Sequence, residues 1–179
     1  MRQTKLVRPA LVASLGLVAG SLAVVAGTVA PAHADPDVTI NLVGINDFHG
    51  RIDANTVKWA GTVKTVEADA PADSSLLIGA GDLIGASSFA SAVANDQPTI
   101  DVMNKLDLDA SAVGNHEFDK GWADLRDRVI GPAATPNATW TYLGANVYKK
   151  GTTTPVLPEY APFTVNGVTV AVILSLIHI

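Results

Sequence analysis

The stretch Val38–Gly50, VTINLVGINDFHG, decides the fold. Its first eight residues are mostly apolar and partly alternate with polar ones, which predicts a β-strand, and the polar loop Asn46–Gly50 follows at once. The same change occurs twice more, where Ser75–Ala80 leads into Gly81-Asp82 and Ala110–Val113 leads into Gly114–Asp119. The sequence therefore places three polar loops at the ends of three predicted strands.

Helical patterns separate these strands. Thr56–Ala68 carries apolar residues at helical spacing, with Thr56 as a candidate N-cap. A second helix is predicted to begin at Pro98 and to present on one face Ile100, Met103 and Leu106. Strand–helix–strand repeats form right-handed crossovers in a largely parallel sheet. Because ligands gather at the carboxyl ends of such strands, the three loops are expected to meet at one edge of the sheet.

The rest of the chain predicts a further helix, a fourth strand and a hairpin. The helix ends at Gly131-Pro132 and has an apolar stripe of Trp122, Leu125 and Val129. The fourth strand is predicted over residues 142–147. Asn166-Gly167 lies between two apolar runs, residues 163–165 and 168–174, and predicts a hairpin because both turn positions require a positive φ. The alternating pattern indicates an α/β fold.

The loops offer oxygen and nitrogen ligands for divalent cations. Asp47 and His49 lie two residues apart, so on an extended backbone they would point the same way and could share one cation. Asp82 follows a glycine-flanked turn, where a carboxylate can bridge two cations, and Asn115 offers an amide oxygen to the second. Each residue alone has an ordinary alternative, such as an aspartate that caps a turn beside an unrelated histidine. Their joint occurrence at strand ends favours a metal site.

A different role is predicted for His116 and Asp119. Asp119 is close enough in sequence to accept a hydrogen bond from one ring nitrogen of His116, which would orient the ring and keep it protonated for general-acid work or charge stabilisation. Asp119 could also, or instead, cap the helix that begins near Gly121. Glu117 is expected to point away from the site and to hold its loop.

A dinucleotide-binding fingerprint is a competing interpretation of one loop. Gly79, Gly81 and Gly85 follow a predicted strand, and an aspartate lies about 20 residues after Gly81. However, Ile84 occupies the place of the third glycine, and Asp82 would set a carboxylate against the pyrophosphate. The spacing and the charge therefore disfavour a nicotinamide cofactor.

Composition limits the partners. The chain has 179 residues, enough for one domain with a sizeable core, and no cysteine, which excludes thiolate metal sites and disulfides. Residues 1–34 hold three of the 12 basic residues and no acidic one, so nine basic residues against 17 acidic ones give residues 35–179 a net charge of −8. Such a surface disfavours nucleic acid as a partner, because nucleic-acid binding depends on cationic side chains.

Residues 1–34 have the three-part pattern of a secretory signal peptide. Three basic residues precede the uncharged apolar run 10–30, and Ala32-His33-Ala34 matches a cleavage site. The alternative is an uncleaved membrane anchor, since a run of roughly 20 residues can span a bilayer. The cleavage pattern favours removal after Ala34. We expect a secreted or cell-envelope protein without stable membrane insertion.

The three loop motifs, NDFHG, GD and GNHEFD, resemble those of the calcineurin-like metallophosphoesterases, over about residues 38–173. The resemblance is strongest to the exported 5′-nucleotidase branch, with its UDP-sugar hydrolases and 2′,3′-cyclic-nucleotide phosphodiesterases. It implies a four-layer α/β/β/α sandwich and hydrolysis of a nucleotide or sugar-nucleotide with two divalent cations, Mn²⁺, Zn²⁺, Mg²⁺ or Fe. It also implies that Asp47, His49 and Asp82 bind one metal, that Asp82 and Asn115 bind the other, and that a catalytic dyad is formed by His116 and Asp119.

The sequence departs from the family downstream. Further metal-binding histidines and a nucleoside-binding domain are expected in the family, and His178 matches no family motif. Residues 35–179 are therefore expected to be the amino-terminal part of a metallophosphoesterase domain, truncated before its second half, with weak metal binding and slow turnover. The alternative is a non-enzymatic secreted protein that binds a metal or another ligand on half of the scaffold.

Overall fold

Four parallel strands form the main sheet in the computed structural model, which describes residues 37–176. They are β1 (Asn41–Ile45), β2 (Ser75–Gly79), β3 (Ala110–Ala112) and β4 (Thr141–Leu143), and they lie in the order β1-β2-β3-β4. The predicted α/β class and parallel sheet are confirmed. Because the strands run in one direction, the loops that follow β1, β2 and β3 all leave from the same edge of the sheet.

The helices connect the strands as predicted, with two additions. They are α1 (Thr56–Ala68), α2 (Phe89–Ala92), α3 (Gln97–Lys105) and α4 (Gly121–Asp124). A single 3₁₀ turn covers His116–Phe118, and α4 continues into a π-helical segment, Leu125–Ile130. The short α2 and the π-helical segment were not predicted, whereas Gly131, with φ 78°, ends the segment as expected.

The expected role of Thr56 as an N-cap is wrong. Thr56 is the first residue of α1 and Asn55 holds the cap position. The hydroxyl of Thr56 instead accepts a hydrogen bond from the backbone N–H of Asp53 (2.8 Å) and donates to the carbonyl of Arg51 (3.3 Å). It therefore stabilises the turn that enters the helix rather than the first helical N–H groups.

Alternate residues of the main sheet face different layers. Val43, Leu77 and Val113 face the helices, where they join a core that also contains Ile100, Met103, Leu125 and Val129. Leu42 pairs with Leu76 on the opposite face. Leu77 is fully buried, whereas Leu42, on the edge strand β1, is 63% exposed. The helix-facing side therefore carries the main core.

Truncation of Leu77 tests this assignment. We expect Leu77→Ala to lower the free energy of unfolding by about 2–5 kcal/mol, because a buried leucine leaves a cavity when its side chain is shortened. Leu42→Ala is the matched control, also a strand leucine, and should change the same quantity by less than about 1 kcal/mol. Urea unfolding followed by circular dichroism measures both. Equal losses in the two variants would contradict the core as described.

The predicted hairpin is confirmed. It consists of β5 (Tyr160–Val165) and β6 (Val168–Ile173), which pair antiparallel. Asn166 and Gly167 have φ values of 47° and 79°, as a two-residue hairpin turn requires. The backbone N–H of Asn166 donates to the carbonyl of Asp73 (2.7 Å), so the turn is anchored to the loop that precedes β2.

The fourth strand is shorter than predicted. β4 ends at Leu143 because the next two N–H groups bond elsewhere: Gly144 donates to the carbonyl of Pro158 (3.0 Å) and Ala145 to that of Leu174 (2.8 Å). These bonds connect the main sheet to the segments that flank the hairpin. The first strand likewise begins at Asn41 rather than Val38.

Within residues 37–176, none of the helices is both long enough and apolar enough to span a bilayer. The signal-peptide and cleavage predictions for residues 1–34, and the position of His178, lie outside the described residues.

Candidate metal centre

The three loops converge at the carboxyl edge of the main sheet. His49, Asp82 and His116, one from each loop, each place a potential ligand atom within 4.8 Å of the other two. The rings of His49 and His116 lie edge to face, with their centroids 4.9 Å apart. Two imidazoles and a carboxylate therefore share one small region, as expected from the topology. The inclusion of the His116 ring goes beyond the metal-ligand set predicted from the sequence.

Asp47 and His49 do not lie on an extended backbone, so the extended conformation predicted for them is wrong. Both have φ 49°, in the left-handed region. Backbone bonds to the neighbouring loop impose this conformation: the N–H of Asp47 donates to Gly81 (3.2 Å) and the N–H of His49 to Asp82 (3.0 Å). The two side chains still approach each other, with 3.8 Å between Asp47 Oδ1 and His49 Nε2.

The tautomer of His49 follows from its partner. Nδ1 lies 2.9 Å from the carbonyl oxygen of Gly85, which can only accept, so Nδ1 carries the proton. In a neutral ring Nε2 is then an acceptor. Metal-binding histidines commonly use this arrangement, in which one nitrogen donates to a carbonyl and the other binds the cation.

Asp82 occupies the centre of the site. Its Oδ1 accepts a hydrogen bond from the backbone N–H of His116 (2.9 Å), which ties the second loop, after β2, to the third loop, after β3. Asp47, Asp82 and Asn115 line one cleft of about 320 Å³. Asp47 is the outlying member, because its side chain is 60% exposed and it does not belong to the group within 4.8 Å.

His116 and Asp119 form the predicted hydrogen-bonded pair. Nδ1 of His116 lies 3.0 Å from Oδ2 and 3.1 Å from Oδ1 of Asp119. The pair spans a 3₁₀ turn, in which residues three apart lie on the same side. Asp119 does not cap α4, whose cap position is Lys120; it accepts instead from the backbone N–H of Ala86 (3.0 Å). The hydrogen bond between the two side chains raises the pKa of His116 and lowers the pKa of Asp119.

Removal of the carboxylate tests this pair. We expect Asp119→Asn to lower the pKa of His116 towards about 6.5, the value of an ordinary histidine. Ring-proton NMR shifts of the metal-free protein, followed against pH, measure it. Asp127→Asn removes an exposed carboxylate that pairs with Arg126 and should leave the pKa of His116 unchanged. An unchanged pKa in Asp119→Asn would contradict the assignment.

The signs of the shifts set the pH range in which the pair stabilises the fold. Because the folded-state pKa of His116 is raised, its contribution is complete below the ordinary histidine pKa and is lost as the pH rises through the raised value. Because the pKa of Asp119 is lowered, its contribution is present above the ordinary aspartate pKa and is lost as the pH falls through the lowered value. The pair should therefore contribute most in weakly acidic solution.

Glu117 holds its loop, as predicted, and lies outside the group of His49, Asp82 and His116. It is buried, 3% exposed, and accepts hydrogen bonds from backbone N–H groups of the second and third loops. Burial raises the pKa of the Glu117 carboxyl, while these N–H donors act in the opposite direction.

Gly85 and Ala86 belong to the site through their backbones, which the side-chain pattern did not reveal. The Gly85 carbonyl fixes His49, and the Ala86 N–H bonds Asp119. Gly85 has φ 79°, and a Cβ there would overlap the carbonyl oxygen of His116. The glycine itself was the only sequence signal for this contact.

The donor set fits a divalent cation. It contains carboxylate, imidazole and amide groups, and His49, Asp82 and His116 each offer one ligand atom within 4.8 Å of the other two. Oxygen and nitrogen ligands of this kind suit Mn²⁺, Zn²⁺, Mg²⁺ or Fe, so the residues do not select one metal.

Comparison with known proteins shows which proteins this chain is similar to. No protein-family model matches the chain. Endonuclease YhcR of Bacillus subtilis is 35% identical over 158 residues, which cover 76% of this chain and 13% of that protein. The 5′-nucleotidase of Vibrio parahaemolyticus is 33% identical over 175 residues, covering 91% and 30%. Over part of their length, the chain is homologous to 5′-nucleotidases and 2′,3′-cyclic-nucleotide phosphodiesterases.

A solved structure shows the same fold. The crystal structure of the 5′-nucleotidase precursor from Thermus thermophilus matches with a TM-score of 0.61 at 23% identity, over 78% of this chain and 29% of that one. The α/β unit thus corresponds to about a quarter to a third of the solved 5′-nucleotidases. The chain spans 13% and 30% of the two curated relatives, so it matches a limited part of proteins in the 5′-nucleotidase family.

Proposed function

We propose that the chain is part of a metal-dependent phosphoester hydrolase that acts on nucleotides or sugar-nucleotides. The observation that carries the proposal is the convergence of His49, Asp82 and His116 within 4.8 Å at the edge of a parallel sheet. Homology to 5′-nucleotidases over part of their length supports the reaction class. The same site without turnover would make the chain a non-enzymatic binding protein.

Each residue of the metal centre has a proposed position. Asp47, His49 and Asp82 would hold one cation, and Asp82 and Asn115 the other. Bound cations of this kind polarise phosphoryl oxygens and supply hydroxide at neutral pH. Asp82 is suited to the shared position, because its carboxylate lies between the other two loops and only Oδ1 is engaged by the backbone of His116. The residual acceptor of His49 and the exposed carboxylate of Asp47 complete the first group.

His116 is proposed as the catalytic imidazole. Asp119 accepts from Nδ1–H and raises the pKa of His116, which favours the form of the ring with a proton on its second nitrogen. That proton can stabilise negative charge on the phosphoryl group or pass to the leaving alkoxide. The pair lines a cleft of about 300 Å³, which also contains Lys120 and Arg128. The cleft gives the dyad access to solvent and to a small ester.

The remaining proposals concern partners and location. A net charge of −8 in residues 35–179 disfavours nucleic acid as the substrate, although one relative is named an endonuclease. The signal-like residues 1–34 support a secreted or cell-envelope location, and residues 35–179 form the amino-terminal part of the catalytic domain.

Hydrolysis assays test the proposal. The purified protein is incubated with p-nitrophenyl phosphate, AMP, a UDP-sugar or a single-stranded oligonucleotide, with Mn²⁺, Zn²⁺ or Mg²⁺ and with chelator. We expect slow, metal-dependent release of phosphate or nucleotide, abolished by chelator and lowered by about 10²–10⁴-fold in His116→Asn. Cation binding without any hydrolysis would support the non-enzymatic alternative. Cleavage of the oligonucleotide but of none of the small substrates would show that the substrate is nucleic acid and not a nucleotide.

A further inference from the structure

We propose that Glu117 is a positioning residue that sets the Asp82 carboxylate in the metal centre by joining the second and third loops. The proposal rests on the proposed function, because it concerns the same site. Glu117 is not proposed as a ligand, because both of its carboxylate oxygens accept hydrogen bonds from backbone N–H groups.

The carboxylate of Glu117 accepts hydrogen bonds from both loops. Oε2 accepts from the backbone N–H of Asp82 (2.9 Å) and from that of Gly114 (2.5 Å), so a single atom bridges the second and third loops. Oε1 accepts from the N–H groups of Leu83 (2.9 Å) and Ile84 (3.4 Å). Three consecutive N–H groups of the second loop and one N–H group of the third loop therefore bind the same carboxylate.

Because the two loops are closely packed beside Asp82, the bridge made by Glu117 affects the position of the Asp82 carboxylate. A Cβ on Gly114 would overlap Oδ1 of Asp82, and a Cβ on Gly81 would lie 2.8 Å from the nitrogen of Gly114. The loops are thus in backbone contact beside the carboxylate. Asp82 also has φ 52°, an unfavourable conformation for a residue with a side chain, which neighbouring contacts must maintain.

A chain of contacts leads from Glu117 to the ligand atoms. Glu117 fixes the Asp82 backbone, and the Asp82 carboxylate in turn accepts from the N–H of His116 (2.9 Å). The N–H of His116 donates to Asp82 and not to Glu117. A change in its hydrogen exchange after substitution of Glu117 would therefore show that the Asp82 carboxylate has moved. A shift of the second loop would lengthen this bond and move the carboxylate relative to both imidazoles.

The chemistry requires a carboxylate at position 117. All four partners are N–H donors, and an ionised carboxylate offers acceptors on both oxygens. A glutamine would turn one NH₂ group towards donors on one side, so either the bridging pair or the Leu83–Ile84 pair would lose its acceptor. An aspartate would keep the charge but is one methylene too short to reach both loops.

Glu117→Gln, compared with Asp109→Asn, tests the proposal. Asp109 is the matched control, since its half-buried carboxylate also accepts a backbone N–H, that of Leu77 (2.8 Å), just before β3 begins and away from the site. We expect both variants to lose thermal stability. Only Glu117→Gln should weaken Co²⁺ binding, measured by its visible absorption, by about 10–100-fold. Asp109→Asn should change the Co²⁺ affinity less than twofold.

A metal-free measurement separates this proposal from the proposed function. Amide hydrogen exchange by NMR should accelerate at Asp82, Gly114 and His116 in Glu117→Gln, but at none of them in Asp109→Asn. Unchanged exchange at His116 in the folded variant would overturn the positioning role, as would unchanged Co²⁺ affinity. If the wild type bound no cation, the proposed function would fail, while the exchange at His116 would still decide the role of Glu117. If Glu117→Gln does not fold, Glu117→Asp is measured in the same way.

Discussion

Alanine in place of Gly85 is expected to disrupt the metal centre and to lower the free energy of unfolding by about 2–5 kcal/mol. Two costs combine. The φ of 79° is unfavourable for a residue with a Cβ, and that Cβ would overlap the carbonyl oxygen of His116 and lie 2.8 Å from Oδ2 of Asp119. Relief of the overlap must move the second loop, whose Gly85 carbonyl holds the His49 ring. Thermal or urea unfolding and Co²⁺ titration measure both consequences.

Gly121 provides a matched control for this substitution. It has φ 84°, close to that of Gly85, but a Cβ there meets nothing within 4 Å among the described residues. Gly121→Ala should therefore cost only the backbone term of about 1–2 kcal/mol and leave cation binding intact. Equal stability losses in the two variants, with cation binding retained in Gly85→Ala, would show that the contact with His116 has no influence on the site.

Asp82→Asn is expected to weaken divalent-cation binding by at least about 100-fold, beyond the effect of losing an outer hydrogen-bond partner. The substitution removes the only carboxylate in the group with His49 and His116. It should change the fold little, because the amide oxygen of asparagine can still accept from the N–H of His116. Isothermal titration calorimetry gives the affinity, and near-ultraviolet circular dichroism verifies the fold.

Two other aspartates calibrate this result. Asp47→Asn should weaken binding less than Asp82→Asn, because Asp47 is more exposed and lies outside the 4.8 Å group. Asp53→Asn should leave cation binding unchanged, because its carboxylate accepts from the N–H of Asn55 at the entry to α1 and is not part of the group of His49, Asp82 and His116. If Asp82→Asn bound cations as tightly as the wild type, the central position of this carboxylate would be wrong.

The sequence predicted those parts of the fold that local patterns determine. The first three strands end within one residue of the prediction because each apolar run changes abruptly to a polar loop, as at Gly79 and Ala112, whereas the end of the fourth strand was predicted wrongly. The Asn166-Gly167 turn was accurate because few residue pairs tolerate two positive φ values. Convergence of the three loops followed from the parallel topology alone. The pairing of His116 with Asp119 followed from their spacing.

The parts that were missed depend on contacts between distant segments. Asp47 and His49 take a left-handed backbone because their N–H groups bond to the second loop, and no local preference for it is visible in the sequence. Asp119 bonds to Ala86 rather than capping α4 for the same reason. The residue types of the site were therefore readable from sequence, whereas the orientation of their backbones was not. The metal-ligand and catalytic roles remain predictions.

The convergence of three loops also has a kinetic consequence. A helix and a strand separate His49 from Asp82, and two helices and a strand separate Asp82 from His116, so no short segment of the chain can form the group alone. Contacts of such high sequence separation are costly to close and tend to form late. A cation that binds only the assembled group should therefore slow unfolding while leaving the folding rate nearly unchanged. The metal centre would therefore stabilise the completed fold against unfolding and would not act as a folding nucleus.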